Sequence, residues 1–160
     1  MATANASPFT LLALDTDVFT DWRNQRPHTI EAIRNYQLCL KQPPRLTAMT
    51  IFEARNGFES KEVKSGTLDQ ISQRDRANME QLMSTCGVLE MGEKAAAIAA
   101  HVFARLSRSD RQKHWRDMFV AAIALSHGYG LATRNQSDFE LIGQHLPDFA
   151  PILFLALWKA

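Results

Sequence analysis

Short apolar runs alternate along this chain with segments of helical periodicity, and that alternation most constrains the fold. The runs are Thr10 to Leu14 within "FTLLALDTDVF", then "RLTAM", "GVLEM", "GLAT" and "PILFLAL". Each is strand-sized and bounded by polar, Gly or Pro residues. Between them lie "TIEAIRNYQLCL", stopped by Pro43 and Pro44, then "TIFEARNGF" and the polar "LDQISQRDRANMEQLMSTC". A helix from Glu93 follows, with Ala95, Ile98, Ala99, Val102, Phe103 and Leu106 on one stripe, and then "RDMFVAAIALSHG" and "SDFELIGQHL". Strands that alternate with helices imply a parallel sheet covered on both faces. The predicted fold is therefore α/β, three layers with a short central parallel sheet.

A chain of 160 residues is long enough to bury a core and reads as one domain, 1–160, without repeat or linker. Residues 1–8, small and polar, read as a flexible tail. Hydrophobic residues at 46% and charged residues at 22% exclude a disordered chain. A net charge of +1 means that any nucleic-acid binding needs a local basic patch. No apolar run approaches the roughly 18 residues of a membrane span. The N-terminus lacks a basic region before its apolar run and makes a poor signal peptide, so a cytoplasmic chain is expected. Cys39 and Cys86 stand apart, with no CxxC or CxxH, and read as buried free thiols rather than a disulfide or zinc site.

The first apolar run ends in Asp15 and Asp17, one residue apart. Paired carboxylates at a strand end need water or a cation, because each opposes ionisation of the other. Ligands of such sheets collect beyond the carboxyl ends of the strands. Asp15 follows the first strand, Glu53 follows the second, Asp117 opens the helix before the fourth, and Asp138 lies just past the fourth. Together at one rim they call for a divalent ion, and oxygen-only ligands select Mg²⁺ or Mn²⁺ over zinc. Each acid also has a purely structural use. Thr50-x-x-Glu53 and Ser137-x-x-Glu140 have capping-box spacing, and Asp117 and Asp138 suit the first turn of a helix.

"LDTDVF", "TAMTIFEARNGF" and "RDMFVAAIALSHGYGLATRNQSDF" resemble, in order, the motif blocks of PIN-domain proteins, in particular VapC-like toxins. The likeness runs from about residue 11 to residue 155, and its third block is the most specific. It implies an acidic pocket that binds Mg²⁺ or Mn²⁺ and hydrolyses RNA phosphodiesters, leaving a 5′-phosphate. The family's invariant acids fall on Asp15, Glu53 and Asp117. Its variable fourth acid falls on Asp138, with Asn135 standing where some members carry aspartate. Thr133 matches a small hydroxyl residue near the metal, and Asp17 replaces the more usual Asn or Ser. Metal would be held by Asp15, Asp117 and Asp138, with Glu53 orienting water or binding a second ion. The resemblance also implies a homodimer and a cognate antitoxin that inserts a helix or tail into a groove, lined by "TIEAIRNYQLCL" and "ANMEQLMSTC".

Positive charge for the substrate is concentrated in "RLSRSDRQKHWR", where Arg108, Arg111, Lys113 and Arg116 could hold phosphates and Trp115 could stack on a base. Trp22, Arg23 and Arg26 offer a smaller version of the same arrangement. A solvated helix end explains either segment equally well. The five histidines show no metal-ligand spacing; His127 reads as a helix-end cap and His101 as packing or surface. Two rivals stay open. "LDTDVF" also resembles the Asp-x-Asp opening of haloacid-dehalogenase-type phosphatases, although Phe19 stands where that family needs Thr or Val. A PIN-like domain that binds RNA or protein without cutting is the other, but all three invariant acids are filled.

Overall fold

The computed structural model describes residues 3–160. Its strands are β1 (Thr3–Asn5), β2 (Leu12–Leu14), β3 (Arg45–Thr47), β4 (Val88–Leu89), β5 (Gly130–Thr133) and β6 (Leu153–Leu157). They form one sheet in the order β1-β6-β5-β2-β3-β4, with every pairing parallel. The helices are α1 (Thr16–Arg23), α2 (Pro27–Leu40), α3 (Ala48–Ser65), α4 (Gln70–Cys86), α5 (Glu93–Arg105), α6 (Arg108–Ser126) and α7 (Gln136–Gly143).

Successive strand residues point to opposite faces, so each short strand feeds two cores. On one face Ala13, Leu131, Leu153 and Leu155 meet the apolar sides of α5, α6 and α7. On the other, Leu12, Leu14, Leu46 and Ala132 meet Val18 and Phe19 of α1, Tyr36 of α2, Phe58 of α3 and Met79 and Met83 of α4. The expected three-layer α/β/α architecture is the observed one.

Four expectations change. The segment read as a flexible tail contributes β1, paired with β6 in the register Thr3–Leu153 to Asn5–Leu155; Met1 and Ala2, also assigned to that tail, lie outside the described residues. A helix not foreseen, α1, follows β2 directly, capped by the Asp15 side chain. Helix α6 begins at Arg108 and not near Arg116, because Ser107 caps it by accepting from the Asp110 amide. Cys86 is buried as expected, whereas Cys39 is exposed on α2.

From β2 the chain builds outward to β3 and β4, then returns across β2 to add β5 and β6. The strand order therefore reverses between β2 and β5, and the crevice at their carboxyl ends is where such sheets bind ligands.

Candidate functional site

Asp15 emerges at that crevice, 4% exposed. Its Oδ1 accepts from the Thr16 amide at 2.8 Å, as the N-cap of α1, and its Oδ2 accepts from the Thr133 hydroxyl of β5 at 2.9 Å. Thr133 Oγ1 accepts in turn from the Asn135 amide at 3.0 Å. One buried hydroxyl thus ties the ends of the two central strands to one carboxylate.

Glu53 comes from α3. The capping-box reading fails here: Thr47 is the N-cap, and the Thr50 hydroxyl lies inside the helix, where it donates to the Leu14 carbonyl. Glu53 Oε1 instead accepts from the Thr16 hydroxyl at 2.8 Å. Thr16 was not foreseen as a site residue, since a Thr beside an N-cap Asp gives no sign in sequence of a partner 37 positions away.

Asp117 does not open a helix. It lies well inside α6, so the dipole explanation of its charge is lost. Ser126, the helix end, lies nine positions on, about 13.5 Å of axial rise. The four residues of β5 climb about 13 Å, which brings Asp117 level with the carboxyl ends of the sheet. Asp138 does occupy the first turn of α7, as its spacing suggested, but the N-cap is Asn135 and not Ser137.

The acids influence one another. Burial, followed by the charge of Asp117, pushes the Asp15 carboxyl up to about 7, against the opposing hydrogen bonds from Thr133 and Thr16. Burial also pushes Asp117 up to about 6, with repulsion from Asp138 and Glu53 and a counteracting interaction with His114. Asp117 is thus close enough to Asp15, Glu53 and Asp138 to feel the charge of each.

Asp17 stands at its rim. Its Oδ2 accepts from Asn135 Nδ2 at 3.0 Å and lies 3.8 Å from the Arg134 guanidinium, which also reaches the buried Asp21 at 3.3 Å. Asn135 is therefore turned toward Asp17, while Asp138 is the acid that meets Asp117.

Sequence spacing among histidines missed His114. It is buried, and its Nδ1 lies 3.5 Å from Asp117 Oδ2 and 3.9 Å from Asp138 Oδ1. The spacing His114-x-x-Asp117 is a one-turn pair on a helix, but it shows only once α6 is known to begin at Arg108. The other histidine expectations hold at His127, the C-cap of α6.

The basic segment divides between two faces of α6. Arg111 donates to the carbonyls of Phe103 and Ala104, closing the end of α5, and lies over the Phe103 ring. Trp115 packs edge-on against Phe119 and under Arg116. Arg111 and Trp115 line an apolar groove of about 770 Å³ against α5, away from the acids. Arg108, Lys113 and Arg116 are exposed. Arg23 lies over the Phe19 and Phe58 rings and so belongs to the edge of the core. Of the helices expected to line a partner groove, α4 turns Met79 and Met83 inward, while α2 leaves Leu38 exposed.

The donor set fits a divalent cation: carboxylates that burial and repulsion hold back from ionising gain most from an ion among them. No helix among the described residues is long and apolar enough to cross a membrane.

A family profile described as the PIN domain matches residues 12–143. The chain is 29% identical over 135 residues to the VapC ribonuclease Y4jK of Sinorhizobium fredii, a match covering 83% of this chain and 93% of that protein. Among solved structures, DNA-bound VapBC from Salmonella typhimurium aligns with a TM-score of 0.69 at 22% identity, over 94% of this chain and 99% of that one. VapBC2 from Rickettsia felis, bound to a promoter DNA fragment, aligns with a TM-score of 0.65 at 13% identity, over 92% and 98%. At these identities the two structures speak to fold alone.

Proposed function

The chain belongs to the PIN-domain family, and from that premise we propose that it is a Mg²⁺- or Mn²⁺-dependent endoribonuclease, the toxin of a VapBC-type pair. What supports this reading is that Asp15, held by Thr133 at the β2–β5 switch point, interacts with Asp117, which in turn feels Glu53 and Asp138, so that acids from four elements act on one another. Family membership sets aside the phosphatase alternative, and the filled acid positions speak against a module that only binds.

Asp15, Asp117 and Asp138 would hold the ion. When bound, it supplies Lewis-acid chemistry, making water acidic near neutrality and offsetting charge that builds on the phosphoryl oxygens. The chain's own groups do the rest. The Thr133 hydroxyl and Thr16 amide fix Asp15 with lone pairs to spare. Glu53, held through Oε1 by Thr16, orients the attacking water and takes its proton. Lys113 and Arg116, exposed in α6 on the N-terminal side of Asp117, draw RNA phosphates toward acids that would otherwise repel them. Asn135 and Arg134 restrain Asp17 at the rim.

The partners follow from the same reading: RNA as substrate, an antitoxin, and a second copy in a homodimer. Support for the antitoxin is that the structural neighbours are VapBC complexes. The test is cleavage of structured RNA by the purified chain. We expect cleavage with Mg²⁺ or Mn²⁺, none with chelator, 5′-phosphate ends, and a loss of at least about a hundredfold in Asp117→Asn. Cleavage that survives both chelation and this substitution would refute the reading.

A further inference from the structure

We propose that His114 is itself a ligand of the metal position, which makes the centre a mixed nitrogen–oxygen site with Asp117 and Asp138 that favours Mn²⁺ over Mg²⁺. This rests on the metal-dependent reading above and narrows it. The sequence suggested an all-oxygen site; the fold adds a nitrogen.

Three observations carry the inference. His114 Nδ1 and one oxygen from each of Asp117 and Asp138 lie within 4.8 Å of one another. A good imidazole–carboxylate hydrogen bond closes to about 2.7–2.9 Å, yet Nδ1 stands 3.5 Å from one carboxylate and 3.9 Å from the other. Ligands held at about 2.1 Å in octahedral geometry are separated by roughly 3.0 Å when adjacent and 4.2 Å when opposite. The two His114 spacings, 3.5 and 3.9 Å, lie between those values, so small side-chain adjustments would bring the donors onto one ion.

The second observation is burial. His114 is 4% exposed, and the hydrogen bond of its Nδ1, to Asp117 Oδ2 at 3.5 Å, is long for a buried group. Bound to an ion, His114 would carry its ring proton on Nε2 and give the Nδ1 lone pair to the metal; without one, Nδ1 faces Asp117 as a hydrogen-bond partner.

Third, the three donors are fixed by two separate helices. His114 and Asp117 share one face of α6, whose next residue, Met118, is buried in the core. Asp138 comes from the first turn of α7, anchored by Phe139. A nitrogen donor moves affinity toward first-row transition ions, whereas Mg²⁺ prefers oxygen and retains its water.

The test is pulsed EPR of Mn²⁺ bound to the full chain, at natural abundance and with ¹⁵N-labelled histidine. Expected is an echo modulated by imidazole ¹⁴N, replaced by ¹⁵N coupling on labelling and lost in both His114→Gln and His114→Asn. By calorimetry, these variants should bind Mn²⁺ about tenfold or more weakly, with a smaller change for Mg²⁺. Bound Mn²⁺ without histidine coupling, or coupling that persists in a folded variant, overturns the inference and leaves the metal-dependent reading standing. It would make His114 a hydrogen-bonding neighbour only. If either variant fails to fold, the labelled wild type still decides whether histidine nitrogen touches the ion. No bound Mn²⁺ at all sinks both.

Discussion

At Asp15, burial and charge push the same way. The group is buried, Asp117 and Asp17 add repulsion, and its carboxyl rises from an ordinary 3.8 to about 7, while Asp117 rises to about 6. In the unfolded chain both release their protons near 3.8, so between that value and 6–7 the folded state holds more protons. Stability is therefore full below the unfolded value and declines as pH rises through the folded ones. Asp69, held below the usual carboxylate range by the Ser72 amide, contributes only at more acid pH. Metal-free protein should unfold at lower urea concentration at about pH 8 than at about pH 5, and saturating Mn²⁺ should reverse the difference. Asp117→Asn should flatten this profile and stabilise the metal-free chain at neutral pH by about 1–3 kcal/mol, read by urea unfolding. Lower stability in the variant would show that the acids are not in conflict.

Among the elements, the shortest depend most on single residues. Gly130 opens β5, and a Cβ there would stand 2.6 Å from the Phe154 carbonyl oxygen and 3.2 Å from Leu12. The backbone oxygen cannot swing aside, so Gly130→Ala should separate β5 from β6 and cost about 2 kcal/mol or more in denaturant unfolding. A variant as stable as wild type would contradict this packing. Strand β1 covers the edge of β6 and continues through the Ala6 amide to the Leu155 carbonyl. Removing residues 3–7 should lower stability by about 1–3 kcal/mol and promote association through the bared edge, seen by light scattering. Apolar alternation made the other strands legible, and the three motif blocks made the acids legible. β1 was not, because "TAN" carries no apolar pattern and owes its conformation to its partner strand. The start of α6 is hard to read for a related reason: "RSDRQKHWR" is polar on most sides, so its periodicity is faint and Ser107 is its local signal. His114 is hidden with it, because it becomes a neighbour of Asp117 only in a continuous helix. Thr16 was hidden by distance in sequence from Glu53.

In the whole molecule, two apolar layers hold a sheet whose order reverses at β2 and β5, and the reversal leaves a crevice that no strand crossover covers. Into it the chain sends acids from α1's cap, α3, α6 and α7, accepting repulsion that a smaller or less rigid domain would relax. A dication among the acids resolves that repulsion. Calorimetric titration of Mn²⁺ into the metal-free full chain at neutral pH tests it most directly. Saturable binding is predicted, lost when Asp15→Asn and Asp117→Asn are combined in a chain that still unfolds cooperatively. A wild-type chain that takes up no ion, or a double variant that binds as tightly as wild type, would contradict it.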